Sequence, residues 1–360
     1  MKPSVDSSQR LLLTAGTRDG VFTFLRECRG DPWRQSGPSL ENFDISHARL
    51  DPRDGQTMFA AASGEGFTAV FRSDDFGHEW KVAGGPFEVD QIWHVEPGHP
   101  SQPGRIYAGT MPAALFISDD HGDSWRSAPG MGEHETHGEW WEGGSGGINL
   151  HRIMADPERP ERIYAGISVA GLFRSDDGGQ TWVPKNEGVF RFTEWESEMH
   201  HGNVHRCIHS AVLDPHDSRV IYQQNHVGVY RSDDAGETWT DITTGLPSGF
   251  GFVIAVTRQE PPAIFVVPQD ENNIRLSGQL TVYRSRNGGA TWESLTHGLP
   301  VVERITLYRE GMTTDHLDPA GVYFGTSNGT IWYSQDSGDS WSVLAEGLPP
   351  IRSLSCDVPA

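Results

Sequence analysis

The chain has 360 residues, 12 tryptophans, 42 glycines and 23 prolines, with a formal charge of −21 at pH 7. That charge argues against nucleic acid or an anionic membrane surface as partner, because both require cations that displace counterions. No run approaches the roughly 18 apolar residues of a membrane-spanning helix. The polar stretch Met1–Arg10 ahead of Leu11-Leu12-Leu13 does not read as a secretory leader. Cys28, Cys207 and Cys356 are too few and too scattered for a disulfide framework. A cytoplasmic location is therefore expected.

In chain order, residues 11–37 supply three short β-rich segments ending in Gly30-Asp31-Pro32-Trp33. From there an octapeptide of form Ser-x-Asp-x-Gly-x-x-Trp recurs at Ser73–Trp80, Ser118–Trp125, Ser175–Trp182, Ser232–Trp239 and Ser334–Trp341. A sixth copy, Ser285–Trp292, has Asn287 in place of Asp. The spacing suits a repeat architecture. Within each copy Asp or Asn accepts backbone N–H groups of its own turn, Gly relieves the backbone, and Trp supplies an apolar wedge. The octapeptide is thus a hairpin clamp, not a catalytic device.

Two β-rich segments precede each clamp, as in Arg105–Thr110 and Ala114–Ser118, and a further strand upstream ends in Asp51-Pro52, Glu96-Pro97, Asp156-Pro157 or Asp214-Pro215. With the short strand that begins at Trp, each unit holds four strands, A to D. Units of this size and content are propeller blades. Six clamps mark blades 2 to 7. Residues 11–37 lack a strand A, and 351–359 read as a strand A without followers, so the two ends complete blade 1. The expectation is an all-β, single seven-bladed β-propeller covering 1–360, its ring closed by the C-terminal strand.

The clamps resemble the BNR/Asp-box repeat superfamily, which includes sialidases, xyloglucanases, sortilin-type receptors and a photosystem II assembly factor. The whole chain looks most like bacterial BNR-like repeat proteins labelled sialidase or glycosyl hydrolase. That resemblance implies architecture more than activity. Sialidases are six-bladed and use an arginine triad, an Arg-Ile-Pro signature and a Tyr–Glu pair. Here Arg105-Ile106-Tyr107 and Arg162-Ile163-Tyr164 lack the proline, and the linear sequence does not assemble the triad. Xyloglucanases set their carboxylates between two propellers, and one is expected here. The assembly factor's basic patch fits poorly with the acidic balance.

Candidate site residues gather on the face opposite the clamps. Residues 126–147 and 183–204 are long connections between blades 3, 4 and 5, and Pro268–Leu280 is a long B–C loop in blade 6. Long loops on a rigid scaffold tend to carry function. They hold Glu135, Trp140 and Trp141, then Trp195, Glu196, His200 and His201. Nine of the 16 histidines fall between His134 and His226. Counting five residues back from the Asp/Glu of each Asp/Glu-Pro turn lands on Ser46, Gln91, His151 and His209, and from Asp357 on Arg352. At about 3.3 Å per residue these positions reach the upper mouth of the central channel. His226 occupies a B–C turn on the same face, with His94 and His205 near in sequence.

Three routes remain open for this set. Gln91, His151, His209 and His226 have the donor types to hold one divalent ion such as Zn, Mn, Cu or Fe, and their placement resembles the His/Gln metal site of propeller-fold oligogalacturonate lyases in position only. Metal-free chemistry would use His151, His209, Glu135 and Glu196 as acid–base candidates, with Gln91, His94, Trp140, Trp141, Trp195, His205 and Arg352 holding the ligand. Otherwise the histidines simply satisfy buried polar groups. The expected function is an enzyme acting on a carbohydrate or similar polar small molecule, by hydrolysis or lysis with metal assistance open. The alternative is a non-catalytic propeller that binds a protein partner or a glycan.

Overall fold

A computed structural model describes residues 10–140, 147–190, 204, 206–270 and 275–360. Seven four-stranded antiparallel sheets form the blades of a propeller ring. Blade 1 is composite: strand Ile351–Asp357 pairs with Leu11–Thr17, followed outward by Gly20–Arg26 and Arg34–Ser39. The remaining blades begin at Asp44–Leu50, Gln91–Pro97, Leu150–Ala155, Ile208–Leu213, Gly251–Val256 and Met312–Thr314. A small eighth sheet joins Leu276–Gln279, in the long B–C loop of blade 6, to Val301–Ile305. Among the described residues no helix is long and apolar enough to cross a membrane.

Burial follows position in the blade. Second strands such as Ile163–Ile167 and Ile264–Pro268 are buried throughout, because each sheet is covered by a blade on either side. Their near-continuous apolar sequence follows from that double coverage. Outer strands such as Arg34–Ser39 and Lys81–Val82 are exposed. The core is a series of apolar layers between neighbours. Phe59, Ala61 and Val70 of blade 2 meet Ile92, Val95 and Ile106 of blade 3, and Tyr164 and Leu172 of blade 4 meet Ile208, Ala211 and Tyr230 of blade 5.

The octapeptides make the bonds their residue types require. Asp177 Oδ1 accepts from the backbone N–H of Gln180 and Thr181 at 3.0 and 2.9 Å, and Gly179 N–H donates to Ser175 Oγ at 2.8 Å. Asn287 serves equally well, accepting from Thr291 N–H at 2.9 Å. The tryptophans also tie blades together. Trp125, Trp239 and Trp292 donate their indole N–H to Ala83, Lys185 and Ile242 carbonyls of the preceding blade, at 2.8–2.9 Å.

Candidate functional site

Six of the seven innermost strands break their ladder once, near the upper end. Ile45 pairs with Ala62 and His47 with Ala61, so Ser46 is skipped. The same bulge skips Trp93 in blade 3, His151 in blade 4, His209 in blade 5 and Arg352 in blade 1. In blade 6 the irregular stretch between Gly251 and Ile254 contains Phe252. In blade 7 Glu310 precedes the strand Met312–Thr314. A bulge inserts one unpaired residue and re-aims its side chain, and here the fold uses it repeatedly. Ser46, Trp93, His151, Phe252, Glu310 and Arg352 line one cavity of about 270 Å³.

Close blade contacts hold these bulges. In blades 1, 2 and 4 the residue before the bulge enters a space left by a glycine of the preceding blade. A Cβ on Gly109 would lie 2.5 Å from Leu150 Cδ2, and one on Gly325 would lie 2.3 Å from Ile351 Cγ2. Leu150 and Ile351 are thereby pinned, which fixes His151 and Arg352 next to them.

One sequence expectation is corrected by this register. Gln91 was placed level with His151, but the equivalent residue is Trp93. Glu96 lies inside its strand opposite Tyr107, and the turn bond closes at Gly98, whose N–H donates to Arg105 O at 2.8 Å. Blade 2 closes that bond at Asp51, so the Asp-Pro of one blade and the Glu-Pro of the next are not in register. Gln91 still lines the cavity and donates to Ser46 Oγ at 2.8 Å. Phe252 and Glu310 escaped the same count because their turns close at Thr257 and Asp315, neither followed by proline. Arg18, Thr306, Tyr308 and Arg309 also line the cavity. No local pattern marks them; Arg18 comes from a B–C turn and the others from the connection into blade 7.

The cavity floor is a polar plug. Glu310 pairs with Arg152 at 2.5 Å, and Arg49 with Glu96 at 2.6 Å. His94 lies 3.5 Å from each of the two carboxylates and its ring stacks on His47 at 4.1 Å. Burial opposes charge here, yet Arg49 and His94 hold the Glu96 carboxyl down at about 2, and Arg152 and His94 hold Glu310 well below the usual range. Burial likewise opposes the His94 imidazolium, but Glu310 and Glu96 push its pKa up. His47, desolvated beside charged His94, falls to about 3. Below the plug a second cavity of about 540 Å³ opens toward the Asp-box face, lined by Pro157, Pro215 and Arg258. Arg309 and Glu310 touch both cavities.

The other candidates separate. His151 Nε2 meets the Ile208 carbonyl at 3.2 Å, leaving Nδ1 without a partner, and burial and then Arg309 keep the ring neutral. His209 lies outside the lining but packs on Phe252 at 4.6 Å between ring centres. It faces His226 at 5.3 Å, and burial and then Arg309 lower both, His226 to about 4. The donor atoms of Cys207, His209 and His226 lie within 4.8 Å of one another, as do those of His47, His94 and Glu310. Of the expected ligands Gln91, His151, His209 and His226, the last two share a group that His151 does not join, and Gln91 donates to Ser46. Arg352 is held by Asp44 at 2.5 Å and lies over the Tyr308 ring at 4.8 Å. Trp140 is a core residue, packed 5.5 Å from Phe173 and donating to Thr136 Oγ1. Glu135 is exposed and apart from the cavity lining. Trp141, Trp195, Glu196, His200, His201 and His205 lie outside the described residues.

Comparison with known proteins agrees with the repeat reading. Residues 173–184 match the BNR/Asp-box repeat model. The chain is 25% identical over 221 residues to xyloglucanase Xgh74A of Acetivibrio thermocellus, covering 51% of this chain and 24% of that protein. It therefore spans about a quarter of that relative's length. Among solved structures, the GH74 xyloglucanase of Xanthomonas campestris superposes with TM-score 0.65 at 19% identity, over 96% of this chain and 54% of the other. YCF48 bound to D1 peptide superposes with TM-score 0.56 at 11% identity, over 95% and 87%. The chain is a seven-bladed β-propeller carrying BNR/Asp-box repeats.

Proposed function

We propose that the chain acts on a carbohydrate bearing an anionic group, bound in the upper cavity. The observation that carries this reading is Arg309. Its Nε is buried without a hydrogen-bond partner, and the neighbouring Glu310 carboxylate, which acts on it electrostatically, is paired directly with Arg152 instead. A half-buried cation with no direct ion pair is costly, and a ligand anion would supply one. Arg18 and Arg352 line the same cavity. Trp93, Tyr308 and Phe252 offer apolar faces to a sugar ring, and the bare Nδ1 of His151 can accept a ligand hydroxyl. This is a different frame from the sialidases, since the ring has seven blades.

Catalysis is supported by the xyloglucanase relatives, which cover half of the chain. Glu310, ionised against Arg152, suits a charge-stabilising or nucleophilic role in glycoside cleavage. It is the single carboxylate among the described lining residues. That fact favours a second reading, glycan binding without turnover, because glycosidases ordinarily use two carboxyl groups.

The test is calorimetric titration with matched neutral and uronate-containing oligosaccharides, followed by mass spectrometry of the incubated sugars. Preferential binding of uronates, abolished in Arg309→Gln, supports the site, and shortened products lost in Glu310→Gln support turnover. Binding without products selects the second reading. Equal indifference to both sugar sets removes the proposal.

A further inference from the structure

We propose that Cys207, His209 and His226 form a zinc site beside the upper cavity, independent of the carbohydrate reading. His209 Nδ1 meets the Gly251 carbonyl at 2.6 Å. A carbonyl only accepts, so Nδ1 carries the proton and Nε2 keeps its lone pair. That lone pair faces Cys207 Sγ at 3.5 Å. Metal-binding histidines are commonly oriented in this way, one ring nitrogen donating to a carbonyl while the other ligates.

The third ligand is brought in by the backbone. The N–H of His226 donates to the Cys207 carbonyl at 2.9 Å, tying the B–C turn of blade 5 to the start of its inner strand. Phe250 packs edge-on against both rings, 5.4 Å from His209 and 4.8 Å from His226, and gives the site an apolar wall. The three donor atoms lie within 4.8 Å of one another. Zinc bonds of 2.0–2.3 Å in tetrahedral geometry place ligand atoms about 3.3–3.8 Å apart, so a small closing of the turn completes the set.

One sulfur and two imidazoles match zinc, with the fourth position left for water or substrate. On binding, the thiol proton leaves, the sulfur–zinc bond forms, and no electron is transferred. The thiolate also offsets the neighbouring charge of Arg309, which interacts electrostatically with Cys207. The other cluster, His47, His94 and Glu310, is less suited to a cation, because Arg152 already neutralises its one carboxylate.

The experiment uses untagged protein incubated with zinc chloride, desalted and analysed by inductively coupled plasma mass spectrometry, with cobalt chloride in parallel for spectroscopy. The expected result is one zinc per chain and a near-ultraviolet sulfur-to-cobalt charge-transfer band in the wild type. Cys207→Ser removes the band, His226→Ala lowers zinc occupancy at least several-fold, and His151→Ala keeps full occupancy. Absence of the cobalt band in wild type, or zinc retained in both ligand variants, overturns the site, as does equal loss in His151→Ala. Sugar titrations on the metal-free protein separate this outcome from that of the carbohydrate reading, since they test Arg309 with no zinc-bound thiolate beside it.

Discussion

The guanidinium of Arg309 sits 5.7 Å from the centre of the Trp93 ring and 5.5 Å from that of Phe252, so two aromatic rings from the inner strands of blades 3 and 6 flank one half-buried cation. Cation–π contact returns only about 0.5–2 kcal/mol, less than the cost of desolvating an unpaired charge. Arg309→Met is therefore expected to leave stability unchanged or raise it by about 1–2 kcal/mol, while weakening an anionic ligand at least tenfold. Urea melts and calorimetry on the same samples check this. A destabilised variant with intact affinity contradicts it.

Two tryptophans expected from the sequence or found in the structure have opposite assignments. Trp93→Ala is expected to weaken sugar binding about tenfold or more while sparing the core. Trp140→Ala removes a ring packed on Phe173 and is expected to cost about 3–5 kcal/mol without contacting ligand. Paired melting and binding curves distinguish them, and a reversal of the two effects would show that the cavity wall is misassigned.

Acidification tests the plug. His47 titrates near the ordinary 6.5 when unfolded and at about 3 when folded, so between these values the unfolded chain binds the extra proton. Stability from this group is full above the unfolded pKa and is lost as pH falls toward 3. One proton corresponds to about 1.4 kcal/mol per pH unit. His94, whose pKa is raised, acts oppositely, its contribution fading as pH rises above the unfolded value. His47→Gln is expected to flatten the acid limb of stability against pH by about one proton. An unchanged slope would mean that His47 is not the neutral partner in the stack.

Glycine spacing tests how the bulges are held. Gly109→Ala places a Cβ against Leu150, and the overpacking is expected to cost about 1–3 kcal/mol. Because Leu150 adjoins His151, ligand affinity should fall as well. Gly132→Ala, with open space around its Cβ, should change neither. Equal effects at both glycines would disconnect the blade contact from the site.

The octapeptides and the strand content were legible because each acts locally: an Asp or Asn closing its own turn, a buried strand rich in Ile, Val and Ala. Ring closure was legible too, because the leftover strand Ile351–Asp357 had only one unfilled place. Four of the five counted positions, Ser46, His151, His209 and Arg352, fall on the bulges, the first three because their turns close at the equivalent residues Asp51, Asp156 and Asp214. Gln91 did not, since blade 3 carries its Glu-Pro two residues before the turn bond at Gly98.

By itself, then, the sequence determined the repeat, the blade and the closed ring, since turn chemistry and alternating burial operate over a few residues. Only the tertiary structure decided what meets at the axis. Arg18, Phe252, Arg309, Glu310 and Arg352 come from four strands or turns far apart in the chain, and the ring brings them to one cavity. It also sets Cys207 and His226 beside His209, since a hydrogen bond from the His226 backbone to the Cys207 carbonyl joins those two segments. Contacts of that kind depend on how blades are twisted and stacked, which no local spacing encodes.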